Sequence, residues 1–201
     1  WSNYSSEYST PPEPPSEITQ CKAKSETSVY LEWTRVDTAD TYDIEYTTKE
    51  EYFDGSDQTT VISGIEGTHY EKTGLETGEK YFFRVRSVND AGASLWSGIA
   101  SVPVGSKPES PTTWSSTTTA ILGEPVTLFW IHNCEDGSDQ THAEIEFVIN
   151  DNAKPVYKTM GTETSYSLDI KTTEGYFEGA TVKWRVRTSG VTNEYGDWSI
   201  Q

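Results

Sequence analysis

Two stretches of this chain, about 101 residues apart, follow one design, and that echo restricts the fold more than any other feature. Tyr81 to Ser97 begins Tyr-Phe-Phe-Arg-Val-Arg-Ser-Val, passes through a polar loop and reaches Leu-Trp-Ser. Val182 to Ser199 begins Val-Lys-Trp-Arg-Val-Arg-Thr, passes through a polar loop and reaches Asp-Trp-Ser. Side chains on a β-strand alternate between faces. Residues 81, 83, 85 and 87 therefore fall on one side, and Phe82, Arg84 and Arg86 on the other. A duplicated strand pattern within 201 residues implies two domains of ordinary size.

Composition narrows the class. A hydrophobic content of 33% suits two thin cores, and plentiful Thr, Ser, Tyr and Trp with a single Met favour strands. No run of four turns keeps helical periodicity without Gly, Pro or β-branched interruptions. The net charge of −17 disfavours nucleic acid and an anionic membrane surface as partners, because no basic stripe exists to displace counterions. A solvated acidic surface keeps an elongated protein in solution. No apolar span suits a membrane helix and no leader peptide is visible; a chain starting on Trp1 has the look of an excerpt. Cys21 and Cys134 occupy non-equivalent positions of the repeat and are expected to be two free thiols.

Residues 1–13 read as the end of a preceding repeat plus a Pro-rich linker. Trp1-Ser2 matches Trp96-Ser97 and Trp198-Ser199, and Pro11, Pro12, Pro14 and Pro15 follow as a semi-stiff spacer. Trp1–Thr10 is expected to dock on its own first domain, to donate a strand to a neighbour's second domain, or to remain a free tail. Residues 14–105 then give seven short strands. Val29, Leu31 and Trp33 share one face, Tyr42-Asp43-Ile44-Glu45-Tyr46 alternates apolar with acidic, and Asp54-Gly55-Ser56 marks a turn. Short strands punctuated by Gly and Asp argue a β-sandwich.

This segment resembles a fibronectin type III domain. The resemblance rests on Pro15, Leu31-x-Trp33, Tyr42-x-Ile44-x-Tyr46, Leu75-x-x-Gly78-x-x-Tyr81 and Arg84-x-Arg86-x-Val88-Asn89. It implies that Leu75 and Tyr81 form the corner where the chain crosses between sheets. Residues 106–201 read as a diverged fibronectin type III-like copy with its closing strand truncated after Trp198-Ser199. Leu128-Phe129-Trp130 answers Leu31-Glu32-Trp33, and Ile145-Glu146-Phe147 answers Ile44-Glu45-Tyr46. Tyr176-x-x-Gly179-x-x-Val182 answers the corner, but valine replaces the tyrosine, so Trp184 is expected to fill its space. The fold class expected is thus all-β, two tandem seven-stranded immunoglobulin-like (fibronectin type III) sandwiches. Their core holds Leu31, Trp33, Leu75, Tyr81, Leu128, Trp130 and Trp184. The runs Phe129–Ser138, Trp184–Thr188 and Asp197–Ser199 are also similar to modules in tail and baseplate proteins of phages and prophages of Gram-positive bacteria.

In this fold the third and sixth strands are neighbours. Asp43 and Glu45 are then expected to face outward opposite Arg84 and Arg86, and Glu144 and Glu146 opposite Lys183, Arg185 and Arg187. Each pair of such a ladder contributes about 0.2–1 kcal/mol, and Trp96 and Trp198 lie near enough to stack on the guanidinium planes. As function, this face is a ligand surface; as structure, it is a polar zipper that stiffens an exposed sheet, and the zipper is the stronger reading.

Catalysis finds little to hold, and no catalytic residue, cofactor or metal is expected. His69, His132 and His142 are the only histidines, and no nucleophile elbow, phosphate loop or set-apart carboxylate pair occurs. His132-x-Cys134 with Asp136 and His142 offers zinc-ligand types at irregular spacing, and His132 reads better as the end of a strand. Asp-Gly-Ser-Asp-Gln-Thr occurs at 54–59 and 136–141, in non-equivalent loops, and reads as repeated turn chemistry without the later acids of a calcium loop.

The expectation is a non-catalytic structural and interaction module of an extended phage or prophage tail, in the virion or at a cell surface. Its partners are neighbouring domains or subunits and host surface polysaccharide or protein, touched through loops such as Asn89–Leu95 or Asn133–Thr141. The alternative is a spacer or adhesion region of a secreted carbohydrate-active enzyme or cell-surface protein. Sugar binding by exposed aromatics would need a flat platform, whereas Trp33, Trp130 and Trp184 are in phase with the core.

Overall fold

Val29, Leu31 and Trp33 alternate with polar residues along one strand, and burying that apolar face requires a second layer. A computed structural model describes residues 9–55, 57–150, 156–171 and 179–200. The expectations for residues 1–8, for Ser56 of the first hexapeptide and for Tyr176 of the second corner lie outside the described residues. The chain divides into two units, one ending at Val104 and one beginning at Gly105.

In the first unit, β1 (Ile18–Ser25), β2 (Ser28–Trp33) and β5 (His69–Lys72) form one antiparallel sheet in the order β1-β2-β5. The facing sheet runs β4 (Thr60–Ile65), β3 (Thr41–Thr47), β6 (Lys80–Asn89). Its edge is completed by β7 (Gly92–Ala93) and β8 (Ala100–Pro103), both paired to β6. β8 closes the sheet, and the short strand β7 pairs with β6 before the chain reaches Trp96. Leu31, Trp33, Ile44, Leu75, Tyr81, Phe83 and Val85 share the core between the sheets. Tyr81 Oη accepts the Glu76 N–H at 3.1 Å, and this bond fixes the crossing between sheets. Gly78, at φ +84°, makes the turn that brings them together.

In the second unit the sheets run β13 (Ser165–Asp169), β10 (Pro125–Ile131), β9 (Thr112–Ser115) and β12 (Val156–Met160), β11 (His142–Ile149), β14 (Val182–Ser189). Among the described residues six strands stand where seven were expected. The closing segment there follows β14 only through a bridge between Ser189 and Tyr195 and two backbone bonds, Gly196 N–H to Thr188 and Ser199 N–H to Val186. Leu128, Trp130, Ile145, Phe147 and Val186 form the core. Trp184 is half-buried and packs against this cluster, and with Val182 it lines a cavity of about 430 Å³. A valine cannot make the corner bond that Tyr81 makes.

Candidate functional site

The register of β3 on β6 sets Glu45 opposite Arg84 and Asp43 opposite Arg86. Arg84 Nε donates to Glu45 Oε2 at 2.7 Å, and Nη2 donates to the Phe53 carbonyl at 3.3 Å. Arg86 donates through Nε and Nη2 to Asp43 Oδ2 at 2.9 and 2.8 Å, while Asp43 Oδ1 accepts the Gly64 N–H at 3.3 Å. Both carboxylates lie on the outer side of the sheet, yet Asp43 is only 6% exposed and Glu45 only 7%. They face outward as expected, and the outer face is covered there. The arginines cross over them, and the Trp96 ring lies 5.0 Å from the Arg84 guanidinium and 4.6 Å from that of Arg86. Phe53, on the short 3-10 turn Glu50–Asp54, adds a second ring 4.4 Å from Arg84.

Ser94 and Ser97 hold Trp96 in place. Ser97 N–H donates to the Val85 carbonyl at 2.7 Å, and Ser97 Oγ accepts the Val85 N–H at 3.0 Å. Ser94 repeats this exchange with Ser87 at 2.9 and 3.0 Å. A hydroxyl thus replaces a ladder carbonyl at each point, and both of these sixth-strand donors stay satisfied while the closing strand bulges. The bulge turns the indole back over the arginines.

The second unit repeats the arrangement with its own chemistry. Arg185 forks onto Glu146, Nε to Oε1 at 3.0 Å and Nη2 to Oε2 at 2.8 Å, and Arg187 Nε donates to Glu144 Oε2 at 2.7 Å. Trp198 lies 4.7 and 4.5 Å from the two guanidinium groups. Tyr195, not singled out in the sequence, lies 4.9 Å from Arg187. Burial and the nearby Glu144 raise the Tyr195 phenol, and Arg187 opposes them. Ser199 mirrors Ser97: its N–H donates to Val186 at 2.8 Å and its Oγ accepts the Val186 N–H at 3.0 Å. Lys183 stands opposite Val148 rather than a glutamate.

A second constellation lies at one end of β10, and sequence reasoning treated it as turn chemistry. Asp136 is fully buried: Oδ2 accepts the Ser106 N–H at 2.9 Å and Oδ1 the Ser138 N–H at 2.9 Å. Gln140 accepts the Trp130 indole N–H at 2.9 Å and donates to the carbonyls of Gly161 and Glu163, each at 2.8 Å. His132 Nδ1 pairs with Thr188 Oγ1 at 2.8 Å. Asp136, Ser138 and Gln140 alternate inward through the hexapeptide, whereas Asp54, Gly55, Asp57 and Gln58 of the earlier copy are exposed.

Two polar atoms of this cluster, His132 Nε2 and Ser138 Oγ, are buried and reach no hydrogen-bond geometry. Burial, reinforced by the Asp136 carboxylate, pushes the Cys134 thiol up to about 11. Burial likewise lowers the His132 imidazole, against the opposing charges of Asp136 and Asp139. Cys21 and Cys134 are both free thiols. Among the described residues no three His, Cys, Asp or Glu side chains converge on a metal position. On the outer face of the β9–β10 pair, Trp114 is 47% exposed and stacks on Phe129 with centroids 5.4 Å apart.

Residues 13–102 match the family model described as fibronectin type III domain. Among solved structures, the chain is similar to the chicken CNTN1 FN1–FN3 domains at 15% identity and TM-score 0.43, covering 95% of this chain and 66% of that one. It therefore spans just under two thirds of the length of that FN1–FN3 segment. It is also similar to a two-domain fibronectin type III segment of chicken tenascin at 16% identity and TM-score 0.38, covering 92% of this chain and 96% of that one. With its Tyr81 corner and its two facing sheets, the segment 13–102 is a fibronectin type III domain.

Proposed function

We propose that the chain is a non-catalytic spacer and contact segment of an extended phage or prophage tail protein, acting outside the host cell against neighbouring subunits and the host surface. The observation that carries this reading is the repeated ladder. Arginine donors are taken up by carboxylates that are buried or, at Glu144, half-buried, and are covered by a tryptophan in each unit, which stiffens an exposed sheet and ties up its charged groups in pairs. Fibronectin type III domains are structural and interaction modules, and the likeness of Phe129–Ser138 and Trp184–Thr188 to tail modules supplies the finer context. The loops at the unit ends, Asn89–Leu95 and Asn133–Thr141, are the surfaces for host polysaccharide or protein. Sequencing the genes that flank the parent coding region tests the reading. Capsid and tape-measure genes are expected; a hydrolase domain or a sorting signal in the same reading frame overturns it.

A further inference from the structure

We propose that the second unit binds a small polyhydroxylated molecule, a polyol or sugar, with one ligand hydroxyl seated between His132 Nε2 and Ser138 Oγ. The inference stands apart from the tail context. Its ground is a cavity of about 490 Å³ lined by His132, Cys134, Ser138, Asp139, Gln140 and Thr162. That volume falls within the range of small-ligand sites, about 300–1,000 Å³.

Of the four buried side-chain atoms without a hydrogen-bond partner among the described residues, two, His132 Nε2 and Ser138 Oγ, belong to residues that line this cavity. Ser138 is only 5% exposed, and its hydroxyl is buried beside this space. A buried polar group in this state costs about 1–3 kcal/mol, so a partner placed there is favoured. The two atoms converge. A methyl carbon built on Gly190 would stand 2.7 Å from Ser138 Oγ and 3.5 Å from His132 Nε2, so glycine is what lets the backbone approach both.

The donor set selects the ligand class. His132 Nδ1 already pairs with Thr188, so Nε2 is a donor or an acceptor according to tautomer. Ser138 Oγ serves either way. A hydroxyl both gives and accepts, so it satisfies both atoms in either tautomer, and the remaining hydroxyls of a polyol meet Thr162, Thr164 and Asp139 at the rim. An anion is excluded by the field of Asp136 and Asp139, and a metal ion by the lack of three converging ligands among the described residues.

The test is a residue-resolved NMR titration of the full chain with glycerol, sorbitol and methyl glucoside, and separately with methylammonium. Saturable shifts at His132, Ser138 and Gly190 are expected with the hydroxylated probes, in the millimolar range suited to a few polar contacts. Ser138→Ala should weaken them at least about tenfold. Because that variant touches the interior, Thr162→Trp provides a second one: it closes the exposed rim without altering the buried groups and should abolish the shifts. The proposal is overturned if none of the three probes saturates, if both variants bind like the parent, or if methylammonium alone binds. It is also overturned if a slowly exchanging water between the two atoms resists every probe.

Discussion

Arg84 and Glu45 face each other across the third and sixth strands of the first unit, their side chains joined by an Nε to Oε2 bond of 2.7 Å beneath the Trp96 ring. The carboxylate of this pair is buried although it lies on the outside of the sheet. An ion pair so covered differs from a surface one, because removing the cation leaves a charge with nowhere to be hydrated.

Arg84→Ala is therefore expected to destabilise the first unit by about 2–3 kcal/mol, more than an exposed pair would. Replacing both partners, Arg84→Met with Glu45→Leu, should restore most of that loss. Urea denaturation followed by residue-resolved hydrogen exchange reads both values. A loss below about 0.5 kcal/mol for the single variant would mean that the carboxylate finds water after all.

Ser199→Ala removes the hydroxyl that accepts the Val186 N–H and frees the segment carrying Trp198. The expected cost is about 1–2 kcal/mol, with a red shift of tryptophan emission as the indole leaves the guanidinium layer. Ser97→Ala should repeat this in the first unit. Unchanged protection of the Val186 amide in Ser199→Ala would refute the argument.

The second unit should lose stability as the pH falls below about 6.5, the ordinary histidine value. Burial holds the folded His132 below that value, so the unfolded chain takes up a proton that the folded chain resists. The stabilising difference is thus fully present above about pH 6.5 and shrinks on acidification. His132→Gln should flatten the stability profile between about pH 7.5 and 5.5. If parent and variant lose stability in parallel across that window, the imidazole is not the group responsible.

Neither thiol should react readily in the folded chain. Burial pushes Cys21 up to about 12 and Cys134 up to about 11. At pH 8 the thiolate population then falls at least about a hundredfold below that of an unfolded cysteine. Disulfide-exchange kinetics with and without urea compare the two states. Labelling at equal rates would contradict these environments.

Period-two alternation was enough to place Leu31, Trp33, Tyr81 and Val85 in a core and Arg84 and Arg86 on the opposite face, because strand geometry leaves a side chain only two directions. The tyrosine corner was legible for a related reason: Leu75, Gly78 and Tyr81 act through local spacing. What the chain order does not encode is what covers a face. Asp43 and Glu45 read as outward-facing acids with Trp96 near their arginines, but their burial, and the bulges pinned by Ser97 and, in the second unit, Ser199 that aim the indoles, are seen only in the folded sheet. One hexapeptide likewise leaves Asp54, Gly55, Asp57 and Gln58 exposed in its first copy and makes an inward-facing polar cluster of Asp136, Ser138 and Gln140 in its second. Its burial depends on Ser106, Trp130 and Gly161, residues distant in the chain that only the folded sheet assembles. Local alternation and spacing are properties of neighbours along the chain, so the sequence alone determined them. Burial and hydrogen-bond satisfaction depend on residues far apart in the chain, and the tertiary structure alone decided them.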